Sequence, residues 1–579
     1  MTLISPRRKT NTLSGTVTVA MVNRGRSQGC VTCKQRRVKC DEAKPECWHC
    51  QRLGLHCEGY QTKYSNLKFR DQTHKFANSV VQGRVCLHSP RPLAEPDTSV
   101  PFFLQHYVGM GRHLESARGL FEVLIPIYCS ERHDSPLSLA ICAVASGIRS
   151  LWTRSVRGFQ LSRKSYAEAM ECMRNAVNDR VQRSKPATVL AALVLQHYES
   201  LAAVYDLRSP SRVHHNGAVS LLQFTEADHL NETNSAYIRR FMLHSEVSSA
   251  MRQERPVQSI AHSWIGDKRL MAAPKNPSLV LDVIGVSVAE FQAGYIRLVN
   301  KDGTKVLPRH VLDDCRAEAK RIDKKLLDWA RTVPDHWQPR RLTTGQDLDQ
   351  SIPAYRSVCE VYPSCQIANI WNLWRFQRLA LIKITVDCLQ KIIHLFQVEL
   401  TKDQASGVVD DIVECQQTLR TLVDDVCYSV PFFLGNRTGQ STIADFTDPD
   451  IFIPSYHLPA RGGSKSLKTK DHDAGRATDN HRRPAIAQGP WHVMSPLSHL
   501  LTLFSEDNDR PLADFLRPGQ QEWIREQFQR VATLLHLSSK NHGDDKQALF
   551  DTPAGRAGNT KTDSLARGVR KGLIFMSGP

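Results

Sequence analysis

Six cysteines crowd between Cys30 and Cys57 at the spacing Cys30-x2-Cys33-x6-Cys40-x6-Cys47-x2-Cys50-x6-Cys57, one C-x2-C-x6-C unit used twice. Thiolates grouped this way hold a soft divalent metal, zinc above all. Structural zinc takes four ligands, so one ion would leave two thiolates over and two separate ions would need eight. Two ions that share two bridging thiolates need six. The duplicated spacing favours this arrangement, because each unit then contributes equally. The expected bridges are Cys30 and Cys47, the first cysteine of each unit. One ion takes Cys30, Cys33, Cys40 and Cys47; the other takes Cys30, Cys47, Cys50 and Cys57.

Six thiolates and two divalent ions leave a negative cluster, and nearby cations offset it. They are distributed unevenly. Between Cys33 and Cys40 stand Lys34, Arg36, Arg37 and Lys39, whereas the equivalent stretch of the second unit holds only Arg52. Ligand compensation does not require that asymmetry; an anionic partner facing the first unit explains it. A short helix from Cys33 would put Lys34 and Arg37 on one side, with Arg36 and Lys39 on a neighbouring one. The module has almost no apolar core, so metal binding must supply its folding free energy, on the order of 10 kcal/mol for structural zinc.

Gly29 to Tyr60 resembles the fungal binuclear zinc cluster (Zn2Cys6) family of transcription factors in its six cysteines, the basic stretch, Asp41 and Pro45. The resemblance implies a sequence-specific DNA-binding regulator of RNA polymerase II promoters, located in the nucleus, whose first helix enters the major groove and reads a CGG-type triplet. Arg36 and Arg37 match the base-contacting pair, with Arg37 favoured for a bidentate contact to guanine. Lys34, Lys39 and Arg52 are assigned to phosphates, with Arg24 and Arg26 adding backbone contacts from the arm. The remainder resembles the helical regulatory domain that follows the cluster in many members, through stretches such as Ser135 to Ser146, Ala187 to Leu201 and Leu516 to Arg525.

The elements that must carry this module follow from composition and periodicity. The chain has 579 residues, too many for one ordinary core, and 41% of them are hydrophobic. Its net charge of +18 is concentrated: residues 1–60 hold 11 Lys/Arg against 4 Asp/Glu, residues 461–490 hold 7 against 3, and residues 551–579 hold 5 against 2. Residues 1–27 read as a disordered basic arm, 28–60 as the DNA-binding cluster, and 61–101 as a Pro-containing linker. Residues 102–539 read as an all-α regulatory domain with a disordered Gly/Lys-rich insert at 459–490, and 540–579 as a flexible tail. Ser135-Pro136 and Pro186 open helices. Ala187 to Leu201 is apolar nearly all round and therefore central, and Gln366 to Phe396 is one long helix or two joined ones. A helix through Val426 is expected to stop at Pro431. Ser278 to Ser287 is ambiguous between strand and helix.

No run of about 18 uncharged apolar residues stands out, so no membrane span is expected. The ten cysteines outside the cluster read as small core hydrophobes in a reducing compartment. Residues 61–100 lack sustained heptads, which leaves dimerisation open. Gly25 to Gly29 matches G-x-S-x-G by chance in a basic arm, His214-His215 lacks metal-site spacing, and Trp371, Trp374 and Phe376 read as core. No nucleophile set, phosphate loop or catalytic metal set is found past residue 100, so an enzyme is not expected. The competing readings are a zinc-folded protein-interaction adaptor and an enzyme with a zinc-cluster targeting arm. The partners expected are double-stranded DNA and, at the helical domain, transcription machinery or a small effector.

Overall fold

A computed structural model describes residues 29–60, 98–108, 120–225, 232–266, 270, 276–301, 307–396, 400–456, 471–505, 512–537 and 555–573. The chain divides into two compact units, residues 1–94 and 95–579, with the division inside the stretch expected to be a linker.

The described part of the first unit has two five-residue helices, α1 (Val31–Gln35) and α2 (Trp48–Arg52). Its buried apolar positions are five of the six cysteines, with Cys40 and Tyr60 packed against them.

The second unit begins with α3 (Ser99–Phe103), α4 (Leu120–Ser130), α5 (Pro136–Thr153), α6 (Val156–Asn178), α7 (Arg180–Arg183) and α8 (Pro186–Tyr205). It continues with α9 (Val213–Leu221), α10 (Glu232–Arg252), α11 (Ser259–Trp264), α12 (Pro277–Lys301) and α13 (Arg309–Thr332). A hairpin of β1 (Arg340–Thr343) and β2 (Val358–Val361) follows, antiparallel with Arg340 opposite Val361. The chain then runs through α14 (Cys365–Phe396), α15 (Lys402–Leu434), α16 (Asp471–Leu503), α17 (Gln520–Leu534) and α18 (Gly555–Gly572).

Local chemistry sets several of these ends. Ser135 caps α5 by accepting the Ser138 N–H, and Pro136 fills the first turn, where a missing N–H costs nothing. Thr401 and Gln404 form a capping box at the start of α15. On α8, every residue from Ala187 to Gln196 is buried, as its all-round apolar pattern requires. Trp371 and Trp374 are core residues whose indole N–H groups reach the carbonyls of Trp337 and Leu326, each at 2.8 Å. His214 and His215 are likewise buried, on α9. Buried Arg375 ties α14 to the hairpin through Glu360 at 2.7 Å and the Tyr362 hydroxyl at 3.0 Å.

Five expectations are corrected. Ser278 to Ser287 lies wholly in helix α12. The expected linker end at 101 overlaps α3, which starts at Ser99. Pro431 does not stop α15; it sits inside the helix, which runs to Leu434 and turns at Gly435 (φ 58°), where a Cβ would lie 2.0 Å from the Phe452 carbonyl oxygen.

The insert expected to be disordered over 459–490 is helical from Asp471, and Pro484 to Pro490 are buried. Tertiary contacts override its composition here. Gly489 lets the Phe433 carbonyl approach to where a Cβ would be, Arg482 donates to carbonyls of Phe446 and Asp448, and Arg437 donates to the Ile486 carbonyl at 3.1 Å. Pro490 has no N–H for that carbonyl, so the arginine replaces the lost helical bond. The tail expected at 540–579 contains α18, which buries Ala566, Val569 and Leu573 against α8 and α16. Gly572 permits that approach, since a Cβ there would lie 2.6 Å from the Val204 Cα.

Three helices, α5, α8 and the Pro277–Asn300 stretch of α12, are long and apolar enough to cross a membrane by length and composition. Of the apolar window in α8, 78% is buried inside the unit, so core packing accounts for the hydropathy.

Candidate metal centre

Each C-x2-C opens a helix in the same way. Cys30 is the N-cap of α1 and its Sγ accepts the Cys33 N–H at 3.3 Å; Cys47 is the N-cap of α2 and its Sγ accepts the Cys50 N–H at 3.3 Å. A spacing of three therefore puts both sulfurs of a pair at the start of one helix, facing the same side. Each helix then closes alike: the Val38 N–H bonds the Cys33 carbonyl at 3.1 Å and the Leu55 N–H bonds the Cys50 carbonyl at 3.0 Å. The residue before each donor is left-handed, Arg37 at φ 57° and Gly54 at φ 62°. The duplication read in the sequence is thus also a duplication of backbone conformation.

The sulfurs of Cys30, Cys33, Cys47 and Cys50 lie within 4.8 Å of one another. Cys30 to Cys47 and Cys33 to Cys47 are 3.7 Å, and Cys30 to Cys50 and Cys33 to Cys50 are 3.8 Å. Sulfurs bound to one tetrahedral zinc at about 2.3 Å lie about 3.8 Å apart, so these donors fit zinc in kind and spacing, although this foursome is neither of the two expected ligand sets, which assign Cys33 and Cys50 to different ions. Cys40 adjoins Cys47 and Cys33, and Cys57 adjoins Cys30 and Cys47, which brings all six together. This donor set suits two zinc ions.

The thiols also show why cations are needed. Burial and the neighbouring thiols push Cys33 well up, and the Cys47 thiol followed by burial pushes Cys50 up to about 12. Burial works against Cys40, yet the Cys30 and Glu42 N–H groups bonded to its sulfur bring it down to about 7. Such a group cannot ionise throughout on its own. Divalent metal displaces the protons and makes six thiolates compatible in one place.

The supporting residues are mostly ones that spacing did not reveal. The Asp41 carboxylate accepts the N–H groups of Trp48 at 3.1 Å and His49 at 3.3 Å, at the start of α2. Although desolvation opposes it, these bonds hold the carboxyl below its usual range. Thr32 Oγ1 donates to the His56 carbonyl and accepts the Glu58 N–H, fastening the end of the second unit to α1. Tyr60 donates to the Ala43 carbonyl at 2.6 Å and lies 3.9 Å from the Cys40 sulfur. A threonine inside C-x2-C and a tyrosine three residues past the last cysteine were the available signals.

Lys34, Arg36, Arg37 and Lys39 are all exposed. Their expected arrangement on one helix is corrected: α1 begins at Val31 and ends at Gln35, Arg36 is its C-cap, and Arg37 lies beyond it in the left-handed region. The reason is length, since the chain must reverse within six residues to return Cys40 to the cluster. Arg52 ends α2, with its guanidinium 5.5 Å from the ring centre of Trp48, whose side is 61% exposed. Arg24 and Arg26 lie outside the described residues.

Residues 28–67 match the model of the fungal Zn(2)-Cys(6) binuclear cluster domain. Over 41 residues the chain is 49% identical to White-opaque regulator 2 of Candida albicans, covering 7% of this chain and 9% of that protein. Over 50 residues it is 46% identical to the aspercryptin biosynthesis cluster-specific transcription regulator atnN of Emericella nidulans, covering 9% and 8%. Over 29 residues it is 62% identical to the lysine biosynthesis regulatory protein LYS14 of Saccharomyces cerevisiae, covering 5% and 4%. The matches span about a tenth or less of these relatives' lengths. No solved structure matches the chain.

Proposed function

Residues 28–67 are a fungal Zn2Cys6 binuclear cluster domain, and from that premise we propose that this chain is a sequence-specific DNA-binding transcription regulator acting in the nucleus. One observation carries the reading: four exposed cations, Lys34 to Lys39, crowd the rim of the first unit, and none is in an ion pair among the described residues. A surface of that kind suits a polyanion. Zinc gives the cluster its fold; the chain's own residues do the reading. Cys30 and Cys47, the first cysteine of each unit, bridge the ions, a role supported by the duplicated spacing. Arg36 and Arg37 address guanine edges of a CGG-type triplet, while Lys34, Lys39 and Arg52 address phosphates. The helical unit regulates output through a small effector or the transcription machinery.

An in vitro selection of bound duplexes with the zinc-loaded full chain tests this. Enrichment of a CGG-type element, with affinity falling steeply as salt rises, is expected. Equal recovery of all sequences would overturn it. A protein-contact role for the second unit is favoured by exposed Trp48, Leu53 and Leu55. That adaptor reading prevails if the full chain shows no specific DNA affinity at moderate salt.

A further inference from the structure

The loop between β1 and β2, helix α15 and the start of α17 border a cavity of about 420 Å³, within the range of small-ligand sites. Three arginines line it: Arg356 from the loop, Arg420 from α15 and Arg517 just before α17. Tyr355 and Trp523 supply aromatic surface, with ring centres 5.2 Å apart, and Gly519, the N-cap of α17, completes the lining without a side chain to cap that helix. No carboxylate lines the cavity.

The acid beside these arginines is buried Asp424, and it is already engaged. It accepts Arg517 Nε at 2.9 Å and Gln520 Nε2 at 2.8 Å, and lies 3.8 Å from Arg356. Arg420 meets no acid among the described residues: its Nε donates to the Phe515 carbonyl at 2.8 Å, and the two ends of its guanidinium have no described partner. Three guanidiniums against one carboxylate leave an excess of two positive charges around one space. Arg356 and its neighbour Ser357 also stand in the left-handed region, at φ 49° and 61°, a costly conformation for residues with a Cβ and one that gathers at ligand sites.

A second observation points to a ligand. Tyr355 is only 7% exposed, yet its hydroxyl neither bonds a described residue nor is sealed from solvent. Burial, followed by the charge of Asp424, pushes that hydroxyl up to about 12, so it stays a donor at neutral pH. The Trp523 indole N–H is likewise unbonded and open. Largely buried donors normally find an acceptor.

We propose that this cavity binds a phosphomonoester carried on a planar ring, the chemistry of a nucleoside monophosphate. The phosphate, with a charge near −2 at neutral pH, matches the excess of the arginines. It accepts from the free guanidinium ends and from the Tyr355 hydroxyl, and the ring lies against Trp523. This gives a ligand class to the effector role proposed above for the helical unit. It rests on that reading for its purpose only: titration without DNA tests the cavity, and duplex selection tests the cluster.

The probe is AMP, titrated calorimetrically into the zinc-loaded full chain at physiological salt, with adenosine, ribose 5-phosphate and inorganic phosphate as comparisons. AMP is expected to bind, and adenosine to bind at least about tenfold more weakly because the charge-assisted contacts are lost. Ribose 5-phosphate and inorganic phosphate should bind more weakly than AMP, and Trp523→Leu should narrow that gap while keeping the helical circular-dichroism signal. Arg356→Gln, at an exposed side chain, should weaken AMP about tenfold and leave adenosine unchanged. Tyr355→Phe should weaken AMP by a smaller factor. Arg331→Gln, an exposed arginine of α13 that does not line the cavity, should change nothing. No binding of AMP at millimolar concentration, adenosine binding as tightly as AMP, inorganic phosphate binding as tightly as AMP, or equal losses in Arg331→Gln and Arg356→Gln would overturn the proposal.

Discussion

The cluster unit and the helical unit reach a defined fold by opposite routes. The first buries cysteines and little else, and six sulfurs converge where a larger domain would place leucines. The second closes over a continuous apolar core running from Phe102 to Leu573. One depends on ligand spacing and metal, the other on area removed from water. The difference teaches where each is fragile. In the cluster one atom matters to everything; in the helical unit a single deletion is local, because many contacts share the load.

Removing zinc should separate the two most strongly. Chelation of the full chain, or Cys47→Ser, should unfold the cluster with a loss on the order of 10 kcal/mol. The helical circular-dichroism signal should remain, and metal content should fall to zero. One fully bound zinc retained in Cys47→Ser would break the bridging assignment. The converse experiment is Phe432→Ala, at a fully buried position of α15. It should cost the helical unit about 3–5 kcal/mol in denaturant unfolding while two zincs stay bound.

Acid sharpens the comparison. Desolvation holds buried His215 down to about 4 from 6.5. The unfolded chain therefore takes up a proton that the folded one refuses. The contribution to stability is present above pH 6.5 and drains as pH falls toward 4, by about 3 kcal/mol for a shift of this size. Unfolding midpoints of the chelated chain should fall over that window, and His215→Gln should lessen the slope, with His197 and His499, held down by desolvation in the same way, supplying the rest. A slope that vanishes on chelation would assign it to the cluster instead.

The smallest effect is the most specific. The backbone position of Arg37 is the one that Gly54 occupies in the second unit, and a left-handed non-glycine residue there costs about 1 kcal/mol. Arg37→Gly should leave the cluster as stable or slightly more so, with both zincs, yet lower affinity for the selected duplex by about 1–3 kcal/mol and relax base preference. Lys39→Ala should weaken selected and random duplexes alike and reduce the salt slope by about one. Equal losses on both duplexes for Arg37→Gly would remove its assigned role.

Legibility followed the same divide. The zinc ligands could be read at once because a thiol has few reasons to recur at fixed spacing. The start of α5 was legible from Ser135-Pro136, and burial of α8 from its unbroken apolar run. The second half of the expected insert was misread because its helix is stabilised by tertiary partners: Arg437, the Phe446 and Asp448 carbonyls that accept from Arg482, and the Phe433 carbonyl that approaches at Gly489. Leu565, Ala566, Val569 and Leu573 did carry a helical period in the tail, but a short one among polar neighbours. Phe376 read as core, and it packs against the core while also lining a cavity.

What the sequence determined alone was the metal chemistry, the helical class of the large unit and the uneven placing of charge. These depend on residue type and on separations of a few positions, which local geometry converts directly into structure. Tertiary structure decided that Arg37 stands in a left-handed turn rather than on the helix, that three prolines lie within α16, and that Arg252, Gln292 and Trp491 meet around one space. Those outcomes depend on contacts beyond the local sequence, from the return of Cys40 to the cluster to residues of α10 and α16 meeting across the helical unit, and the free energy of such contacts appears only once the chain has brought them together.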